Sequence, residues 1–157
     1  MTNALKKCEA QEPIDLGVLA QLVGYQLHRA EIDSYRQFTS LFGKNSTSPK
    51  QFSALVLVAA NPEMSQVDLG KVLGMDRATT TAMIDTLENR GLLMRQRSTV
   101  DRRKHMLRLT KRGEESLQVM KRRVREHDER LTSRLTSQER MTLMSLLKKI
   151  RTSDEML

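Results

Sequence analysis

The stretch from Ser65 to Thr110 constrains this chain most: SQVDLGKVLGMDRATTTAMIDTLENRGLLMRQRSTVDRRKHMLRLT. Ser65 caps a short helical pattern, with Asp68 at N3 suiting the helix dipole. Val67, Leu69, Val72 and Leu73 are read as its buried side, and Gly74 ends it. Asp76 caps a second short helix that runs through Arg90 and is stopped by Gly91. Two short helices joined by a tight Gly-containing turn form a helix-turn-helix pattern. An ordinary α-hairpin would look the same up to this point, but Leu93–Arg97 and His105–Leu109 then read as two strands around a charged tip. A hairpin placed directly after a helix-turn-helix is a wing. From Arg90 to Arg112 there are nine cations (Arg90, Arg95, Arg97, Arg102, Arg103, Lys104, Arg108, Lys111, Arg112) against the single acid Asp101. A charge run is usually a solvated face; one sign on a projecting hairpin favours phosphate contact.

Long helical patterns flank this unit. Residues 1 to 13 read as a loose arm ending in Pro13. With Asp15 as N-cap, Leu16, Leu19, Val23, Leu27, Ala30, Phe38 and Leu41 predict one long amphipathic helix of about 40 Å ending near Gly43. Such a helix needs support along its length, from the rest of the chain or from a second copy. Lys44 to Thr47 reads as a turn. Ser48-Pro49-Lys50-Gln51 is a helix start with Pro at N1, and that helix stops at Asn61-Pro62. Beyond the wing, Thr110 caps a helix with Leu117, Met120, Val124, His127 or Asp128, Leu131 and Leu135 at a spacing close to a helix-pair seam. Thr136 and Glu139 form a capping box for a last helix, and the tail from Arg151 reads as frayed. The expected fold class is mainly α with a small β-hairpin wing. Residues 1–46 hold the arm and long helix, 47–110 the winged helix-turn-helix, and 111–157 the C-terminal helices.

The net charge of +8 points to a polyanionic partner. No apolar run approaches the ~18 residues of a membrane span, and no apolar segment after Lys6 and Lys7 reads as a signal peptide, so a cytoplasmic protein without membrane partners is expected. One cysteine, Cys8, excludes an internal disulfide framework and a cysteine zinc site. No phosphate loop or nucleophile motif suggests an enzyme, and His28, His105 and His127 are too dispersed to suggest a metal site, so neither metal nor cofactor is expected.

On a wheel of 100° per residue, Thr80, Met83, Ile84 and Leu87 share the core face of the second short helix. Ala78, Thr81, Ala82 and Asp85 lie opposite, flanked by Arg77 and Thr79. Short side chains let a helix enter the major groove: threonine and alanine methyls can touch thymine methyls, threonine hydroxyls can bond a base edge or phosphate, and Arg77 can reach guanine O6 and N7. Asp85 belongs at the groove edge or paired with a wing arginine. Ser65, Gln66, Ser48 and Lys50 are placed to set register on phosphates. On the wing, Arg97 and Lys104 add positive charge, and Asp101 paired with Arg103 would stiffen a tip that presents Arg102 to a narrow minor groove.

The residues LGKVLGMDRATTTAMIDTLENRGLLMRQRS from Leu69, then Asp101-x-Arg103, then Leu107-Arg-Leu-Thr-x-x-Gly113, resemble the MarR family of bacterial winged helix-turn-helix regulators. The resemblance implies an interlocked helical homodimer that binds double-stranded DNA at a palindromic operator and represses transcription. It also implies release by a small aromatic or anionic effector, held between the long first helix, the Ser48 helix and the helix after the wing. Many members carry Arg where this chain has Ala82, which shifts base readout here towards Arg77, Thr81 and methyl contacts. Tyr25, His28, Tyr35, Arg36, Phe38 and Phe52 are the candidate effector residues, each with a structural reading beside the binding one. Members of the Asp-Arg-Ala-Thr-Thr type point towards aromatic-acid catabolism, sensed through the free acid or its coenzyme A thioester. A redox repressor acting through Cys8 is the alternative. A helical RNA-binding protein is a second class, disfavoured because no Phe, Tyr or Trp follows Phe52. A protein-binding scaffold is a third, and it would not need the arginine-rich wing.

Overall fold

The computed structural model describes residues 14–42, 47–97 and 105–151. The N-terminal arm with Cys8, the turn at 43–46, the wing tip at 98–104 and the tail from 152 lie outside the described residues. The chain divides into two compact units, Met1–Asp33 and Ser34–Leu157.

The single long first helix is corrected. Asp15 Oδ1 accepts from Gly17 N at 2.9 Å and opens only a 3-10 segment, Gly17–Gln21. Gly17 has φ +51 and Leu22 is extended, so the helical path breaks before α1 (Val23–Phe42) begins. The 20 residues of α1 span about 30 Å rather than 40. Periodic apolar positions continue across the break, which hides it from a pattern reading.

The remaining helix starts follow their caps. In α2 (Pro49–Ala60) Gln51 N donates to Ser48 Oγ, and Ser48 N donates back to Gln51 Oε1. In α3 (Gln66–Val72) Asp68 N donates to Ser65 Oγ, which donates to Asp68 Oδ2 at 2.6 Å. Of the four positions read as the buried side of α3, Leu69 is buried and Leu73 half-buried, but Val67 and Val72 are exposed. Val67 lies 160° from Leu69 at 100° per residue, on the opposite side. Gly70 is buried instead, and a Cβ there would meet Thr80 Oγ1 at 2.8 Å, so glycine sets the closeness of α3 to α4 (Arg77–Asn89).

Both ends of this helix pair use the same stop. Gly74 (φ +60) and Gly91 (φ +66) take left-handed conformations. Met75 N bonds Gly70 O and Gly74 N bonds Lys71 O; Leu92 N bonds Leu87 O and Gly91 N bonds Glu88 O. These are Schellman pairs, which satisfy carbonyls the helix leaves open and turn the chain sharply. The first turn aims α4; the second feeds β1 (Leu93–Arg97), paired antiparallel with β2 (His105–Leu109), Leu93 opposite Leu109 and Arg97 opposite His105. A bridge between Ser65 and Met106 and the bond from Leu107 N to Met64 O tie the hairpin to the start of α3.

The core gathers Ala54, Leu55 and Val58 from α2, Leu69, Met83, Ile84 and Leu87 from the two short helices, and Leu92, Leu93 and Leu107 at the hairpin. Leu117 and Met120 of α5 (Lys111–Leu131) complete it. The α5 seam is therefore split: its first half packs into its own chain, His127 is buried, and Leu131 and Leu135 are exposed. In α6 (Ser137–Ile150), Thr136 and Glu139 form the capping box, and Met141, Leu143, Met144, Leu146, Leu147 and Ile150 are all exposed. Arg140 pairs with Asp128, joining α6 to α5. No described helix is long and apolar enough to cross a membrane.

Candidate nucleic-acid interface

The site is the outward face of α4 with its surroundings. Thr80, Met83, Ile84 and Leu87 are buried as the wheel requires, which fixes the rotation of the helix. Arg77, Ala78, Thr79, Ala82 and Asp85 are exposed and Thr81 is half-buried. Arg77 makes no side-chain hydrogen bond or ion pair among the described residues.

At the helix start, Asp76 Oδ1 accepts from Thr79 N at 2.8 Å and Oδ2 from the Thr79 hydroxyl at 2.6 Å. The Thr79 hydroxyl first, and its N–H second, hold the Asp76 carboxyl below the usual carboxylate range. Thr81 is held from both sides: its hydroxyl donates to Arg77 O at 2.8 Å and accepts from Gln66 Nε2 at 2.6 Å. Gln66 thus ties the start of α3 to the middle of the exposed face of α4.

Asp85 pairs with a wing arginine, the second of its two anticipated places. Arg95 on β1 reaches Asp85 Oδ1 at 2.6 Å and also pairs with Glu88, whose other oxygen accepts from Arg95 N at 3.2 Å. Partial burial alone would lower the Arg95 pKa, but Asp85 and Glu88 outweigh it and raise it. The part of Glu88 in this clamp was not anticipated from the chain, although acids at 85 and 88 share a helix face, which was its one available signal. Two more wing-region cations are engaged: Arg90 bonds Thr47 Oγ1 at 3.1 Å and Gln51 Oε1 at 3.4 Å, and Arg108 pairs with Glu63 at 3.2 Å. The positive bias available to a ligand is therefore smaller than the count of nine suggests. Arg97 and Lys50 are exposed, and Ser48 and Ser65 use their hydroxyls as helix caps. Asp101, Arg102, Arg103 and Lys104 belong to the tip outside the described residues.

Of the effector candidates, Phe38 and Phe52 come together, ring centres 6.4 Å apart. His127, absent from the anticipated set, joins them edge-on to Phe38 at 5.8 Å. Its buried Nε2 has no hydrogen-bond partner among the described residues. Tyr35 and Arg36 are exposed. In the first unit Tyr25 is half-buried, and His28 is exposed with Nδ1 3.9 Å from Glu31. A cavity of about 500 Å³ lies elsewhere, lined by Thr47, Arg90, Arg112, Ser116, Met120 and Arg123 among others. None of the six anticipated effector residues lines it.

This geometry has known counterparts. The model of the MarR family matches residues 47–105. A protein of Thauera aromatica named for regulation of the hcr operon is 32% identical over 139 residues, covering 88% of this chain and 84% of its own. The transcriptional repressor CouR, solved bound to a 23-mer DNA duplex, superposes with a TM-score of 0.82 at 38% identity, covering 88% of this chain and 99% of that one. CouR bound to p-coumaroyl-CoA superposes with a TM-score of 0.81 at 36% identity, over 90% of this chain and 99% of that one.

Proposed function

Because the chain belongs to the MarR family and is a DNA-binding transcriptional repressor of that type, we propose that it acts as a homodimer on a palindromic operator and is released by an aromatic acid or its coenzyme A thioester. The observation that carries the DNA half is the outward face of α4: small residues between Arg77 and the Asp85–Arg95 pair, on a helix whose opposite face is locked in the core. A groove-filling helix needs that profile. Arg77 is assigned to guanine. Ser48, Lys50, Ser65 and Gln66, at the starts of α2 and α3, hold phosphates, with Arg97 and the tip residues Asp101, Arg102, Arg103 and Lys104 on the wing.

Two apolar faces support the dimer. The first unit exposes Ile14, Val18 and Val23, and α6 exposes Met141, Met144 and Ile150. Surfaces this apolar are uncommon on a monomer and mark an interface; here the occupant is a second copy. For the effector, the support is that CouR, similar over almost its whole length, binds p-coumaroyl-CoA. Phe38, Phe52 and His127 form an aromatic cluster in which Phe38 and His127 are buried and one ring nitrogen has no partner among the described residues. The arginine-lined cavity offers a seat for an anionic end.

The test is selection of binding sites from genomic DNA, followed by anisotropy titration of the recovered duplex. Each aromatic acid, its thioester and coenzyme A alone is added in turn, with sedimentation run in parallel. The expected result is a dimer on a two-fold-symmetric site, displaced by an acid or thioester and not by coenzyme A alone. A stable monomer would overturn the assembly, and full retention of DNA at millimolar acid and thioester would overturn the effector class.

A further inference from the structure

Hydrogen-bond direction on α4 restricts what the helix can read. A threonine hydroxyl carries one proton. The Thr79 proton goes to Asp76 Oδ2, the Thr81 proton to Arg77 O, and the Thr86 proton to Ala82 O. Thr81 also accepts from Gln66 Nε2, so its rotamer is fixed from both sides. Guanine O6 and N7, adenine N7 and thymine O4 all need a donor. With these protons committed and Asp85 held by Arg95, the centre of the face offers no donor to them. Besides the remaining lone pair of Thr81, what Ala78, Thr81 and Ala82 offer is three methyl groups within a 100° arc. The apolar feature a base pair presents in the major groove is the 5-methyl of thymine.

We propose that the centre of the α4 face recognises 5-methyl groups of pyrimidines in the major groove, with Ala78, Thr81 and Ala82 as the reading residues and Gln66 as the positioning residue that holds Thr81. This rests on α4 being the groove helix. The ligand class is a thymine-bearing step, and 5-methylcytosine, which carries the same methyl at the same ring position, is accepted where cytosine is not. Operator binding therefore responds to the methyl itself, independently of the Watson–Crick partner.

The probe is the selected operator duplex carrying single dU-for-dT replacements, each of which removes one methyl and nothing else. At thymines under α4 each replacement weakens binding about four-fold, the equivalent of ~0.8 kcal/mol for one buried CH₂. Where such a T·A pair is changed to C·G, methylating that cytosine at C5 recovers affinity. Two variants separate methyl from hydroxyl: Thr81→Val, whose branched side chain fixes χ1 in a helix without the bond from Gln66, keeps the ratio of affinities for dT and dU duplexes, and Thr81→Ser lowers it towards one. If every dU duplex binds within two-fold of the parent, or Thr81→Ser keeps the ratio while Thr81→Val loses it, methyl reading is wrong. Ala82→Gln distinguishes the two levels of failure. A changed base preference with dU-insensitive binding removes the methyl proposal and leaves α4 in the groove; an unchanged preference with dU-insensitive binding removes both. The dU series uses the unaltered protein, so it decides the matter even if a variant fails to fold.

Discussion

Replacing Gly113 by alanine should cost far more than a surface glycine normally would. Gly113 sits in the first turn of α5, and a Cβ there would lie 1.8 Å from Leu92 O and 2.8 Å from Leu92 C. That is about 1.5 Å inside contact distance, and the obstacle is backbone, which cannot rotate away. The same carbonyl accepts from Thr110 N at 3.1 Å, while the Thr110 hydroxyl donates to Gly91 O at 2.6 Å and accepts from Gly113 N at 2.9 Å. Lifting α5 to admit a methyl would strain all three bonds. Two hydrogen bonds at about 1 kcal/mol each, a helix cap at about 1 kcal/mol and residual overpacking of 1–3 kcal/mol, the usual range, come to roughly 4–6 kcal/mol. A domain of ordinary stability holds only about 5–15 kcal/mol. At roughly 2–4 °C per kcal/mol for a chain of this size, Tm should fall by about 10 °C or more. The assay is thermal unfolding by circular dichroism at fixed protein concentration, with Gly74→Ala as reference. Gly74 has φ +60 but nothing within 4 Å of its Cβ position, so that variant should lose only about 1–2 kcal/mol of backbone strain. Melting of Gly113→Ala within about 3 °C of the parent, or no lower than Gly74→Ala, would refute the reasoning.

Other outcomes follow from the same geometry. Arg95→Ala should cost about 1 kcal/mol, since its partners are partly exposed, and less than half of that in an Asp85→Asn, Glu88→Gln background; equal costs in a denaturation cycle would show the clamp to be idle. Asp76 has a depressed pKa in the folded state, so its cap contribution is complete above the unfolded value near 3.8 and is lost as pH falls through the folded value. Asp76→Asn keeps an acceptor that does not titrate, and an acid titration followed by circular dichroism should show a flatter curve below about pH 4 than the parent. Arg77→Ala should relax preference at one base pair by about ten-fold or more, whereas Lys50→Ala should weaken all duplexes alike and reduce the salt slope by about one; a uniform loss for Arg77→Ala would remove its base contact.

Every α-helix start after α1 was legible in the sequence because a cap is a local device. Ser48 with Gln51, Asp76 with Thr79, Thr110 with Gly113 and Thr136 with Glu139 each close within three residues, so residue type and spacing suffice to find them. The Leu-Thr-x-x-Gly run combines such a local cap with a grip on a distant turn. Thr110 caps α5 and grips the α4 exit through Gly91 O, and Gly113 must lack a Cβ for that grip to close. What stayed hidden depends on partners distant in sequence or on a single backbone turn. Arg90 meets Gln51 across 39 positions and Arg108 meets Glu63 across 45, so a charge count within a window overstates the free cations. The break at Leu22 leaves the apolar spacing intact. The face of α4 shows the deepest limit. A wheel tells which residues point outward, but not that Gln66, fifteen positions away, bonds Thr81 or where each hydroxyl proton goes. Those bonds leave a strip that looks polar in the sequence without a hydroxyl proton to spare, so the polarity of a helix face depends on its hydrogen bonds as well as on its residue types.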